Sequence, residues 1–427
     1  MIEDRRSFLK VSAAAAVVSR TVLGANDRVQ MGVIGVGTRG NQVHESFMRN
    51  KDVTFVAACD VQKNRLDQFV QKAGGKMAAY GDYRRLLENK DVEGVLITTP
   101  DHWHSPILIA ALQAGKDAYC EKPVSNAIEP ALKMVEAVRN SKQVVQIGCQ
   151  QRSWQHFQDW SKKIQDGYIG QINHCVLLFG GGGGGFPQPP EQPQAPPPDL
   201  DWEMFQGPAP RHPFVPSRLR WRSYYDYGGG SITDWGVHLT DVMHWYMNAD
   251  AKTPLLTSAS AQYVYSAADP EKAPDTFSVT WKFDKFVSTF TNAVPPSGEP
   301  GMSMPEMYGN WFYGQKGVFL VNRYGFELRP IAQRMMGRGR GANTPPPPSL
   351  QAERDMDAQG MSENPDSKFG SATVRHTRNF LDCVKSRQKP VCPMEVGFNS
   401  TLPTLLAVLA VRQGKSFTWD GKVARPS

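Results

Sequence analysis

The stretch Arg28-Val-Gln-Met-Gly-Val-Ile34, running straight into Gly35-Val-Gly37-Thr38-Arg39-Gly40, decides the fold of the 427-residue chain. The first seven residues read as a buried strand, and residues 41–49 suit a helix. A GxGxxG pattern alone is weak, but between a strand and a helix it marks a dinucleotide site. Gly35 permits the tight turn, Gly37 lets a pyrophosphate approach the backbone, and Gly40 lets helix pack on strand. The helix N-terminus then faces phosphate. Val53-Thr-Phe-Val-Ala-Ala-Cys-Asp60 is a second strand ending in an acid, 25 residues after Gly35. A carboxylate there accepts from a ribose 2′-hydroxyl and repels a 2′-phosphate, which favours NAD over NADP. Lys63 and Arg65 follow closely and soften that preference. The plainer role for Asp60 is a turn residue at a strand end.

The alternation continues outward. Helices are expected at 83–89, 106–114 (with Gly115 as C-cap) and 130–140, and strands at 92–99, 117–120 and 144–148. Repeated β-α alternation argues for a parallel sheet with right-handed crossovers, whose ligands bind at the carboxyl ends of the strands. The polar residues gather there: Thr98-Thr99-Pro100-Asp101-His102-Trp103-His104, Glu121-Lys122-Pro123 and Gln150-Gln151-Arg152.

Composition bounds the rest. Apolar residues make up 40% and aromatics 10%, enough for real cores and too many for a disordered chain. The net charge is +7, of which +2 lies in the first 25 residues. The remainder forms no basic stripe, and Arg334, Arg338 and Arg340 read as a solvated loop, so no nucleic-acid partner is expected. Six cysteines at 59, 120, 149, 175, 383 and 392 include no CxxC pair and no zinc spacing. Cys59, Cys120 and Cys149 read as buried inert thiols, and no disulfide framework is expected. His102 and His104, two apart, lack a third ligand, so they read as cofactor-pocket residues and no metal is expected. Glycine and proline concentrate at 180–198, which holds six Gly and seven Pro, and at Pro345–Pro348. Loop insertions are expected at 180–220 and 331–370, the first as a mobile or lid-like surface segment.

At the N-terminus, Arg5-Arg6-Ser7-Phe8-Leu9-Lys10 precedes a short run of small apolar residues and Val22-Leu23-Gly24-Ala25. This is the plan of an export signal, residues 1–25, and the arginine pair with Phe-Leu-Lys resembles the twin-arginine type. It implies an exported or periplasmic protein and a twin-arginine machinery as partner. The run is too short to span a bilayer. No other segment reads as a membrane span.

In the second half, helices are expected at 154–167, 371–386 and 400–413. Strands are expected at 171–179, 257–265, 276–283, 286–292, 317–322 and 417–419. Gly228-Gly-Gly-Ser-Ile-Thr-Asp234 has capping-box form at Ser231, which places a helix start near 232. Ile232, Trp235, Leu239, Val242, Met243 and Tyr246 then share one face, and Asp234, His238 and Asp241 another. Three glycines before this helix would let a ligand approach the backbone.

Together, Gly35-x-Gly37-x-x-Gly40, Thr99-Pro100-Asp101-x-x-His104, Ala114-Gly115-Lys116, Glu121-Lys122-Pro123 and Gly228-Gly229-Gly230-x-x-x-Asp234-x-Gly236-x-His238-x-x-Asp241 resemble the Gfo/Idh/MocA oxidoreductases. The likeness runs from about residue 28 to Trp419-Asp420. It implies an N-terminal Rossmann domain, 28–150, with a doubly wound parallel sheet. A C-terminal α/β domain, 151–427, would follow, with a large, open, predominantly antiparallel sheet for substrate binding and oligomerisation as a dimer or tetramer. Relatives commonly carry Asn where Asp101 stands, and Gly-His where this chain has Gly397-Phe398.

The resemblance assigns catalysis to Lys122, Asp234 and His238. Oxidising a secondary alcohol removes a hydride and a hydroxyl proton. His238, near its pKa at neutral pH, takes the proton. Lys122 donates to the same oxygen. Asp234 orients His238 or holds a neighbouring hydroxyl. The cofactor set is Gly35, Gly37, Thr38, Arg39, Gly40, Asp60, Thr99, Pro100, His102, His104, Glu121, Lys122 and Gln150. The substrate set is Arg152, Trp221, Arg222 and Asp241, with a core tryptophan as the plainer role for Trp221. The expected function is hydride transfer between tightly bound NAD and a secondary hydroxyl of a sugar, polyol or glycoside. The alternative is a redox-neutral, NAD-dependent glycosidase working by oxidation, elimination, hydration and reduction.

Overall fold

The computed structural model describes residues 28–180, 191–263, 270–293, 304–331, 350–357, 364 and 367–427. The expected signal at 1–25 and the arginines at 334–340 lie outside these residues.

The first sheet grows from the opening strand. β1 (Val29–Ile34) pairs in parallel with β2 (Val53–Cys59), from Val29 against Val53 to Ile34 against Cys59. β3 (Ala78–Tyr80), β4 (Gly94–Ile97), β5 (Asp117–Cys120) and β6 (Val145–Ile147) complete six parallel strands in the order 3-2-1-4-5-6. That order reverses beside β1, and the reversal opens a crevice at the strand carboxyl ends. The helices between are α1 (Thr38–Met48), α2 (Lys63–Lys72), α3 (Tyr83–Glu88), α4 (His104–Gln113) and α5 (Ile128–Arg139). The short α2 and β3 have little apolar run of their own and go unread in the sequence.

The second sheet has ten strands, mostly antiparallel. β7 (Ile172–Phe179) and β10 (Val287–Thr291) form its parallel pair. β8 (Leu256–Gln262) and β9 (Thr276–Lys282) lie on one side, and β11 (Tyr308–Gly314), β12 (Gly317–Asn322), β13 (Gly325–Pro330) and β14 (Glu353–Met356) on the other. β15 (Phe417–Trp419) and β16 (Ala424–Pro426) extend the β8 edge. Both expected insertions contribute structure. β14 falls inside 331–370. Residues 191–220 carry α7 (Trp202–Gln206), which packs Trp202, Phe205 and Leu200 with Phe214, Tyr224 and Tyr227 into a small core of its own. This segment is a strap tied to the first domain. Lys63 N donates to Asp199 O at 2.7 Å, Asp201 N to Val61 O at 2.9 Å, and Trp103 Nε1 to Met204 O at 3.0 Å. The described part is therefore anchored, not a free lid; residues 181–190 lie outside the described residues.

α6 (Gln155–Gln165), α8 (Gly230–Asp234) and α9 (Gly236–Tyr246) cover one face of the ten-stranded sheet. The capping box does not form. Ser231 lies inside α8, whose N-cap is Gly229, and the helix breaks at Trp235. The expected apolar face survives the break, with Ile232, Leu239, Val242, Met243 and Tyr246 all buried. The glycine run serves packing instead of ligand approach. A Cβ on Gly229 would lie 2.4 Å from Thr233, and one on Gly230, whose φ is +62°, 2.4 Å from Ala273.

α10 (Ala372–Ser386) and α11 (Met394–Gln413) close the chain. α11 begins six residues before the expected 400 and holds Pro403 inside it. By length and composition it could cross a membrane, contrary to expectation, but it is mostly buried. Its residues pack into the cores of both sheets, with Leu402 and Leu406 against the first and Ala407 and Val408 against the second. An all-round apolar helix is what a core between two sheets demands.

Candidate active site

Two adjoining cavities lie at the strand carboxyl ends. The larger, about 540 Å³, is lined by Gly35, Gly37, Thr38, Arg39, Asp60, Thr99 and Pro100, as expected. Trp103, Arg65, Met204, Phe205 and Leu219 also line it. The last three come from the strap, which no local motif announces. The smaller, about 170 Å³, gathers Glu121, Lys122, Gln150, His104, Asp234 and His238. Trp221, Arg222, Arg39 and Thr99 line both, so the two form one cleft.

The larger cavity passes a direct test for a dinucleotide. A Cβ on Gly40 would sit 2.2 Å from Gly35 O, so that glycine is required by helix–strand packing and lines no cavity. A Cβ on Gly37 would meet nothing within 4 Å, so that glycine leaves room above the loop. α1 begins at Thr38, and its N-cap, Gly37, has no side chain to cap it, which suits a helix N-terminus to phosphate. Thr99 Oγ1 is buried and has no partner among the described residues. Asp60 takes the turn role and also lines the cavity. Its carboxylate accepts from Val36 N and Gln62 N at 2.9 Å each, and it lines the cavity with Arg65 Nη1 at 3.7 Å.

The smaller cavity is built around one ion cluster. Lys122 lies two residues beyond β5, at a cis Lys122–Pro123 bond. Its Nζ donates to Asp234 Oδ1 and to Asp234 O, both at 2.7 Å. Arg222 Nε reaches the same Oδ1 at 3.2 Å. Burial pushes the Asp234 carboxyl up, but the Lys122 and Arg222 cations outweigh it and hold it down to about 2. Asp234 thus anchors Lys122, and it has no bond to His238. His238 is buried, with Nδ1 unpartnered among the described residues. Burial, then the Lys122, Arg323 and Arg39 charges, depress its pKa well below the ordinary 6.5. The expectation of a histidine near its pKa at neutral pH is corrected: the ring is neutral there and can accept a proton. Asp101 is buried in the same cavity, and desolvation raises its carboxyl well above the usual range. Arg39 Nε donates to Glu121 Oε1 at 2.9 Å and ties the start of α1 to the end of β5.

Four assignments change. Arg152 and Asp241 are not substrate ligands. Arg152 Nε donates to Asp241 Oδ1 at 2.8 Å, and its Nη atoms to Asp250 at 2.9 and 2.6 Å. This buried knot also receives Ser400 Oγ at 2.8 Å and locks α9 to α11. His102 lines neither cavity; its Nε2 faces Phe205 O at 3.0 Å, and it secures the strap. His104 touches the cleft, but its ring nitrogens face Pro123 O at 2.7 Å and Thr99 O at 3.0 Å, so it braces two cleft loops. Neither histidine belongs to a metal-type group. The described groups with ligand-like spacing are Cys149–Asp241–Cys392 and His212–Asp226–Glu271.

Arg323 was not foreseen. It sits in the turn between β12 and β13, lines the cavity with His238, and lies 5.1 Å over the Trp235 ring. Trp235 was read as core; it is half-buried, stacked on Phe179 at 4.1 Å, and shares the same cavity wall. Only the sheet topology brings Arg323 to His238, so no sequence signal marks it.

A parallel nucleotide-binding sheet, a second open sheet, and a cleft with Lys, Asp and His at their junction define a two-domain oxidoreductase architecture. Residues 29–149 match the family model described as "Oxidoreductase family, NAD-binding Rossmann fold", and residues 188–273 the model of that family's "C-terminal alpha/beta domain". Both matched models are domains of the Gfo/Idh/MocA oxidoreductase family. It is 29% identical over 228 residues to an inositol 2-dehydrogenase of Salmonella paratyphi B, an alignment covering 53% of this chain and 56% of that one. The chain thus spans just over half of that relative's length. It is 39% identical over 131 residues to a glycosyl hydrolase family 109 protein of Stenotrophomonas maltophilia, covering 27% and 29%. In fold it is similar to the WlbA dehydrogenase of Bordetella pertussis, solved with NADH and UDP-GlcNAcA. The TM-score is 0.61 at 16% identity, covering 92% of this chain and 99% of that one.

Proposed function

We propose that the protein is an exported oxidoreductase that uses a tightly held nicotinamide nucleotide to oxidise a secondary hydroxyl of a sugar, polyol or glycoside. The observation that carries this reading is the juxtaposition of Lys122, Asp234 and His238 in one cavity continuous with the glycine cradle. When bound, the nucleotide supplies the hydride acceptor. The chain's own residues do the rest. The Gly35–Gly40 loop and the α1 N-terminus bind phosphate. Thr99 Oγ1 and Gln150 offer hydrogen bonds along the cleft. Lys122 Nζ, held by Asp234, donates to the substrate oxygen as charge develops there. The neutral His238 imidazole takes the hydroxyl proton. Trp221 and Trp235 wall the site and exclude water.

Asp60 supports NAD over NADP, because its carboxylate repels a 2′-phosphate; Arg65 beside it moderates the repulsion. Export rests on Arg5-Arg6 and the short apolar run after them. Nucleotide is scarce outside the cytoplasm, so an exported enzyme carries it out prebound and regenerates it in place. A homo-oligomer, dimer or tetramer, is proposed through the open sheet face.

The test is to denature gently purified protein and identify the released nucleotide by mass spectrometry. The native protein is then supplied with a panel of sugars and polyols while nicotinamide absorbance is followed. Release of NAD together with a redox change on one of these substrates supports the reading. Protein that carries no nucleotide, even after NAD is added, refutes it. Replacing Arg5-Arg6 by lysines and fractionating cells tests the export route.

A second reading is favoured by one observation, the likeness to the Stenotrophomonas glycosyl hydrolase family 109 protein. The same site would oxidise a glycoside transiently, eliminate the aglycone, add water and re-reduce. Net aglycone release from chromogenic glycosides without added NAD supports this alternative.

A further inference from the structure

The six cysteines are all free and buried, and two of them stand apart from the rest. The Cys149 and Cys392 sulfurs and a carboxylate oxygen of Asp241 lie within 4.8 Å of one another. Neither of the two cysteines is more than 1% exposed. Their backbones are held together independently of the sulfurs. Ile147 N donates to Cys392 O at 2.9 Å, while Ile147 O accepts from Cys149 N at 2.7 Å. Gly397, in the first turn of α11, has no room for a Cβ, which would fall 2.6 Å from Ile147. The two cysteines thus sit on rigid, adjoining segments, one at the end of β6 and one before α11.

We infer that Cys149 and Cys392 form a reversible cystine staple, which joins the end of the nucleotide-binding sheet to the start of the helix that packs against both sheets. Bond formation requires the sulfurs to close from within 4.8 Å to about 2.05 Å, the separation in a cystine. The oxidant is a small-molecule disulfide. One thiol loses its proton and attacks the disulfide, expelling one small thiolate. The second cysteine then attacks the mixed disulfide, expels the other, and leaves the protein cystine and two small thiols. Both protein sulfurs are oxidised and both small-molecule sulfurs reduced. Burial keeps the thiols slow, so closure proceeds through local opening instead of direct attack at the surface. The cross-link closes a loop of well over 200 residues, the regime in which chain-entropy stabilisation is greatest. It lies one residue before Gln150 of the cleft and beside the Arg152–Asp241 knot. The staple does not depend on which substrate the cleft takes.

The test uses the full chain incubated with oxidised glutathione in native buffer. After denaturation and alkylation, the expected result is four reactive thiols in place of six. Peptide mapping should show the Cys149 and Cys392 peptides joined. The thermal midpoint should rise by several degrees, return on adding dithiothreitol, and not rise in Cys392→Ser. If that variant fails to fold, the wild-type peptide map decides alone. Six remaining thiols, a bridge between other cysteines, a bridge that forms only in denaturant, or a soft metal retained on the pair would each overturn the inference.

Discussion

Replacing Asp234 by asparagine removes one negative charge from a cavity that holds Lys122 and Arg222, and leaves shape nearly unchanged. The carboxyl is held at about 2 against an ordinary 3.8, even though burial acts the other way. The difference corresponds to a net of about 2 kcal/mol, the attraction of the two cations less the cost of burial. The folded-state pKa is the depressed one, so this stabilisation is present above about pH 4 and is lost as pH falls towards about 2. Asparagine carries no charge at any pH. The variant should therefore be less stable than wild type by about 2 kcal/mol at neutral pH, or somewhat more because a largely buried lysine loses its partner. The gap should shrink steadily on acidification. Denaturant unfolding of both proteins at a series of pH values between about 7 and 3 measures it. In the same variant, Lys122 Nζ loses its charged partner and keeps only neutral acceptors, among them the residue-234 backbone oxygen at 2.7 Å, and turnover should fall about 10²- to 10³-fold while nucleotide remains bound. A stability gap that stays constant down to pH 3, or an unchanged turnover number, would refute the reasoning that Asp234 works by holding Lys122.

Other outcomes follow from the same geometry. His238→Asn should lower turnover about 10²- to 10⁴-fold without loss of nucleotide. In wild type, the depressed histidine pKa means that activity holds its plateau on going below pH 6.5 and declines only further into acid; a midpoint at or above 6.5 would contradict the burial argument. The same depression makes protonation oppose folding, so this residue's share of stability is lost as pH falls below 6.5. Gly37→Ala should leave the thermal midpoint almost unmoved yet weaken nucleotide binding at least tenfold, because its Cβ meets only the ligand's space. Gly40→Ala, whose Cβ meets Gly35 O, should destabilise the fold itself, and calorimetry of the two variants separates the roles. Arg152→Met should cost about 3–5 kcal/mol of stability, since it strands Asp241 in the core, with little change in substrate KM for whatever protein remains folded.

The parallel sheet was legible because its signals are local. β1 and the glycine loop are contiguous, and every further strand except β3 is a short apolar run. His238 and Asp234 were legible from helical spacing, and Lys122 from its place at a strand end. The errors have a common origin. Arg152, Asp241 and His102 carry the polar side chains expected of a cleft, but their side chains point into buried contacts with Asp250, Ser400 and Phe205. A polar residue at a strand end is equally suited to brace a site or to line it. The capping box at Ser231 failed because the glycines before it pack against Thr233 and Ala273 and start the helix earlier.

By itself, then, the sequence determined the nucleotide-binding sheet, the phosphate loop and the pair of elements that bear Lys122 and His238. Those features depend on periodicity and spacing within a few tens of residues. Tertiary structure alone decided that Asp234 grips Lys122 instead of His238 and that Arg323 reaches the cavity of His238 from a distant hairpin. It also decided that the proline-rich strap walls the nucleotide cleft and that Cys149 meets Cys392. Each joins groups far apart along the chain, and no local pattern records a contact made only when two sheets close on one another.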